Sequence, residues 1–110
     1  MRLVKYEGVV GMKDLLYVMF IDKGKDYKKI NKAMVIKHVD NIRQLDESGK
    51  LELCGAFKGY PGVAGMLVLK VDNYEEAEVI CKAEPFVAEG YATYRLVSLQ
   101  AGNKENNYLL

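Results

Sequence analysis

His38 is the sole histidine among 110 residues, and it falls in the apolar stripe of the longest helical segment. Residues 27–48 repeat at 3.6, which puts Tyr27, Ile30, Met34, His38, Ile42 and Leu45 on one side. Lys28, Lys32, Asp40 and Arg43 fall on the other. An imidazole in the middle of a buried face needs a hydrogen-bond partner. If that partner is a carboxylate, the pair can move protons near neutral pH; otherwise His38 is a satisfied core histidine. Far downstream, Glu84-Pro85-Phe86 interrupts a second helical pattern, and an acidic residue before proline is a favourable helix start. Asn41, on the same side as His38, can bond a ligand or a neighbouring backbone group. Tyr17 offers a hydroxyl for a ligand or a ring for packing, and Tyr91 and Tyr94 pose the same choice.

The remaining composition narrows the chemistry. Sixteen Lys and Arg balance fifteen Asp and Glu for a net charge of +1, so no general attraction to nucleic acid or an anionic membrane is expected. Lys23, Lys25, Lys28, Lys29 and Lys32 cluster at the start of the long helix, where the dipole disfavours cations, so they read as solvated surface. Cys54 and Cys81 stand apart with no CxxC or CxxH spacing, which argues against a metal site and for two buried, free thiols. Nothing resembles a nucleotide-phosphate loop or a serine elbow, and no cofactor is implied. The longest apolar run, residues 15–21, is too short to span a bilayer. With no signal-peptide pattern at the start, a cytoplasmic protein is expected.

These side chains need a scaffold, and the elements that supply it read in order. Residues 1–13 form an N-terminal extension with a short strand at 3–6, and residues 101–110 a mobile polar tail. Between them, residues 15–21 (LLYVMFI) and 64–71 (AGMLVLKV) are continuous apolar runs, expected as strands buried on both faces. Residues 51–57 and 91–99 carry polar residues and read as outer strands. Helices are expected over 27–48, ended by Gly49, and over 74–82, capped by Asp72 or Asn73, with one more turn at 86–89 ended by Gly90. The order β-α-β-β-α-β defines an α+β, ferredoxin-like sandwich. Two helices cover one sheet face; the other is apolar and needs a cover, for which a second copy in a twofold homodimer is the simplest choice. The RNA-recognition fold shares this topology, but GMLVLKV lacks the basic and stacking residues that bind bases.

With those elements in place, the domain over residues 14–100 resembles the YCII-related family of dimeric α-β barrel proteins. The resemblance rests on His38 in the first helix, Ser48-Gly49-Lys50-Leu51 entering the second strand, Gly55, and Gly65 to Val71. It continues through Glu75-Glu76-Ala77 and Glu84-Pro85-Phe86-Val87 with Gly90. The resemblance implies a ferredoxin-like subunit, a homodimer, and a cleft in which His38 and Glu84 act as an acid/base dyad. Two positions depart from the family pattern. Glu84 stands where Asp is usual, one methylene longer, and Val35 stands where many members carry an arginine suited to an anionic substrate.

The function expected is therefore that of a small cofactor-independent enzyme of lyase or isomerase type, working on a small organic acid or aromatic compound. His38 and Glu84 would be catalytic, with Asn41 and Tyr17 contacting the ligand. A non-catalytic ligand-binding or accessory dimer with a degenerate dyad is the alternative. Haem or quinone chemistry, as in related barrels, is a third reading for which the sequence advertises no cofactor site.

Overall fold

The computed structural model describes residues 15–110; the N-terminal extension and the short strand expected at 3–6 lie outside the described residues. Four strands form one antiparallel sheet: β1 (Leu15–Lys23), β2 (Leu51–Ala56), β3 (Val63–Leu69) and β4 (Ala92–Gln100). Their order across the sheet is β2-β3-β1-β4, so the two continuous apolar runs are the central strands. The register pairs Met19 with Leu67 and Val18 with both Val68 and Val97. Three helices connect the strands: α1 (Lys32–Glu47), α2 (Tyr74–Ala83) and the single turn α3 (Pro85–Ala88). The chain is thus an α+β ferredoxin-like sandwich.

Alternation along the strands divides the apolar residues between two faces. Tyr17, Met19, Ile21, Leu67 and Leu69 join Met34 and Leu45 of α1, Ala77 and Cys81 of α2, and Phe86 of α3 in the main core. On the other face Val18 and Val68 are nearly covered by their neighbours. Leu53, paired with Val68, and Val97, paired with Val18, remain 56% and 48% exposed. Leu99 is 44% exposed.

The first helix begins later than its periodicity suggests. Residues 27–29 form a separate 3-10 turn, Ile30 is extended, and Asn31 caps α1 by accepting the Met34 N–H at 3.0 Å. Asparagine competes with helical backbone for hydrogen bonds, so it serves better as a cap than inside a helix. Tyr27 and Ile30 still pack against the core. At the far end Gly49 adopts φ +76°, with Lys50 N–H donating to Leu45 O and Gly49 N–H to Asp46 O. This is the Schellman arrangement that only a left-handed residue closes without strain.

Two further expectations change. Cys54 is exposed, because edge strand β2 is not sheathed by a helix, whereas Cys81 is buried. The C-terminal segment is folded on itself. Asn106, 1% exposed, accepts from the Asn103 N–H at 2.9 Å and donates to Ala101 O at 2.8 Å. Paired asparagines supply the backbone partners that polarity alone does not reveal.

Gly65 lets β2 and β3 approach: a Cβ there would be driven into the Gly55 carbonyl oxygen, whereas a Cβ on Gly55 would meet nothing within 4 Å. Gly65→Val should therefore cost about 1–3 kcal/mol through overpacking. Gly55→Ala should be neutral or stabilise by up to about 1 kcal/mol, since glycine weakens a strand interior. Denaturant unfolding of the two variants checks this pair; equal effects would show that the close approach is not the constraint.

Candidate active site around His38 and Glu84

Glu84 sits at the junction of α2 and α3, extended at φ −61° and ψ 128°. Pro85 disfavours a helical conformation at the residue before it, and at the first helical position its own missing N–H costs nothing. Glu84 thereby becomes the cap of α3: its Oε1 accepts the N–H of Phe86 at 3.0 Å and of Val87 at 3.2 Å. Its other oxygen, Oε2, lies 2.5 Å from Nδ1 of His38, which projects from α1. The glutamate is fully buried, while the His38 side chain keeps 19% of its surface exposed. A charge taken wholly out of water survives only when its lone pairs are occupied, and three donors occupy them here.

This geometry assigns the histidine nitrogens. Because the carboxylate only accepts, Nδ1 carries the hydrogen of the contact, and the neutral ring holds its lone pair on Nε2. No residue among those described hydrogen-bonds Nε2, and His38 lines a cavity of about 260 Å³. Phe86 lies flat against the imidazole, with ring centroids 4.1 Å apart and planes 7° from parallel. Tyr27 meets Phe86 edge-on at 6.0 Å. The carboxylate thus holds the imidazole directly and, through its caps, the turn carrying the ring stacked on it.

Of the four residues singled out by sequence, the structure brings His38 and Glu84 together. Tyr17 is 4% exposed in the core, edge-on to Tyr74 at 6.3 Å, and Asn41 has a buried Nδ2 without a partner; neither lines the cavity. Phe86, Tyr27 and Cys54 do line the cavity and were not expected there as site residues. Phe86 had a usable signal, since it lies two residues past a buried cap; Cys54 had none.

Glu84 also acts at a distance. Burial first, then its negative charge, raises the Tyr27 pKa above the ordinary phenol value. The Cys81 thiol is pushed up to about 12 by burial, with Glu78 and Glu84 adding to it. A second hollow of about 430 Å³, lined by Phe20, Phe57, Tyr60, Val63 and Arg95, lacks a comparable acid–base pair. There the Arg95 guanidinium is tied to Asp22 by bonds of 2.7 and 2.8 Å, which hold the Asp22 carboxyl below its ordinary pKa. Among the described residues no group of three or more His, Cys, Asp or Glu could hold a metal ion. No helix among them is long and apolar enough to cross a membrane.

The fold has a counterpart among solved structures: 5-chloro-2-hydroxyhydroquinone dehydrochlorinase from Burkholderia phenoliruptrix AC1100, in complex with 2,5-dihydroxybenzoquinone. The two align with a TM-score of 0.57 at 11% identity, covering 84% of this chain and 98% of the other. No curated protein matches the sequence. The model of the YCII-related domain matches residues 15–100, and the chain belongs to the YCII-related family.

The two thiols should differ sharply in reactivity, because the thiolate is the reacting form and Cys81 is both buried and held protonated. A colorimetric disulfide reagent near neutral pH should titrate one thiol per chain quickly and the second only after unfolding. Cys54→Ser should remove the fast phase. Two equally fast thiols would contradict the packing around Cys81.

Proposed function

We propose that the protein is a cofactor-independent acid–base enzyme of lyase or isomerase type acting on a small organic substrate. The observation that carries this reading is that Nδ1 of His38 is committed to a fully buried Glu84 while the imidazole borders a cavity. Nε2 would take a proton from a carbon or oxygen of the substrate. Glu84 would hold the ring in place and stabilise the imidazolium that forms. The proton can then return at a second position, giving isomerisation, or assist a leaving group, giving elimination. Likeness of fold to a dehydrochlorinase supports elimination as the first chemistry to try. Asn41 and Tyr17, which do not line the cavity, have no part in this mechanism.

We further propose that the functional unit is a homodimer joined through the open sheet face. Leu53, Val97 and Leu99 make that face too apolar to suit a free surface. A second copy of the same sheet presents matching chemistry, as a twofold interface requires.

The test uses chlorinated hydroxyhydroquinones and small lactones as substrates, with chloride release and ultraviolet absorbance as readouts. His38→Gln keeps a donor for Glu84 but offers no base of suitable strength, so turnover should fall by about 10²–10⁴-fold. Glu84→Gln preserves an acceptor for the Phe86 and Val87 N–H groups and should also lower turnover. Full activity in His38→Gln would end the acid–base reading, as would a wild-type protein that binds ligands but turns over none of these compounds. That second result would favour the accessory ligand-binding dimer.

For the assembly, light scattering at micromolar concentration should give twice the chain mass. Val97→Asp with Leu99→Asp should shift it to monomer. Monomeric wild-type protein would rule the dimer out.

A further inference from the structure

The cavity carries a chemical preference of its own. Among the described residues its polar side chains are those of His38, Tyr27 and Cys54, and its lining contains neither lysine nor arginine. Immediately behind His38 lies the buried Glu84, 2.5 Å from Nδ1, whose negative charge adds to the effect of burial in disfavouring ionisation of Tyr27. An anion placed in the cavity would meet that same field, with no cation among the described lining residues to offset it; the Lys23 ammonium lies outside the lining, over the Tyr27 ring at 5.5 Å from its centroid. In a partly desolvated space the repulsion is felt far more strongly than in water.

Shape adds a second restriction. A cavity of about 150 Å³ already accepts benzene, so about 260 Å³ has room for a ring with one or two small substituents. One wall is the sheet itself. Cys54 pairs with Leu67 and Ala56 with Gly65, so Cys54 and Ala56 extend the helix-facing side of β3 onto the edge strand. Small side chains at Ala56 and Gly65 leave this part of the wall low and flat. His38 and Phe86, stacked on one another, add two nearly parallel rings to the lining. Aromatic faces favour offset stacking and edge-on contacts with another ring.

We infer that the cavity takes a flat, uncharged ring of the phenol or hydroquinone type, turns away carboxylates, and uses Ala56 to set the room available to that ring. The inference rests on the same cavity as the proposed function and narrows its substrate class from organic acids and aromatics to the uncharged aromatics. Hydroxyl hydrogens on such a ring are suitable donors to Nε2, whose lone pair meets no donor among the described residues. A carboxylate brings only acceptors and a charge of the wrong sign.

The experiment follows binding rather than turnover. His38 is the sole histidine, so its imidazole resonances in a proton NMR spectrum report on this site without ambiguity. Phenol and hydroquinone should shift those resonances at neutral pH and protect Cys54 from thiol reagents. Benzoate should bind at least about tenfold more weakly, a factor set by charge because ring size is shared. Glu84→Gln removes the repelling charge and should narrow the phenol-to-benzoate ratio. Ala56→Leu fills the space over an exposed strand position, so hydroquinone affinity should fall about tenfold with the melting temperature unchanged.

Benzoate binding as tightly as phenol would overturn the inference. So would failure of phenol and hydroquinone to shift His38 at millimolar concentration, or hydroquinone affinity unaffected by Ala56→Leu. The acid–base reading fails on a different measurement, the turnover of His38→Gln, so the two outcomes are separable.

Discussion

One buried carboxylate ties the region around His38 together. Glu84 accepts from His38 of the first long helix and from the two backbone N–H groups that open α3. Removing it would orphan three donors in a desolvated setting and release the contact between segments 46 residues apart. The cap is as important as the dyad contact. It fixes the turn bearing Phe86, and Phe86 in turn fixes the plane of the imidazole. A histidine held by one hydrogen bond could still swivel about it. Here a carboxylate at one edge and an aromatic ring across one face leave little freedom, and the remaining nitrogen has no hydrogen-bond partner among the described residues.

The cavity itself follows from the sheet's asymmetry. The centre of the sheet is covered by α1 and α2, whose apolar sides meet Met19, Leu67 and Leu69. Edge strand β2 extends beyond that cover, leaving Cys54 and Ala56 exposed at the margin. A chain with two helices over four strands cannot sheath every strand equally, and the uncovered margin becomes the concave space beside His38. The same economy leaves the far face apolar. One shortage of helical cover thus underlies both the cavity beside His38 and the proposed subunit contact.

Membership of the YCII-related family fits this arrangement, and the structural likeness to the dehydrochlorinase extends over most of both chains. At 11% identity, that likeness speaks for the fold. The case for chemistry rests on this chain's own residues: the Glu84–His38 contact, the uncharged lining, and the flat wall at Ala56. Val35, where the family pattern often has an arginine, is exposed on α1 and does not line the cavity.

Much of this was legible in the residues alone. Unbroken apolar runs in LLYVMFI and GMLVLKV marked the central strands, because a strand covered on both faces has no reason to alternate. Gly49 and Gly90 marked helix ends, since both adopt the left-handed conformation that glycine tolerates. His38 was conspicuous as a polar group on an apolar stripe. Other features depended on contacts distant in sequence. Asn31 ended the helix early because its side chain found the Met34 N–H, a local competition that periodicity does not weigh. Tyr17 looked available to a ligand but went into the core, since its parity on β1 faces the helices. Cys54 looked buried but became exposed, since burial on an edge strand depends on how far the helices reach. The meeting of Glu84 with His38 and the stacking of Phe86 were decided by α1 crossing the α2–α3 junction. Hydrophobic pattern specifies which side of an element turns inward; only the packed tertiary structure decides which inward-facing groups meet.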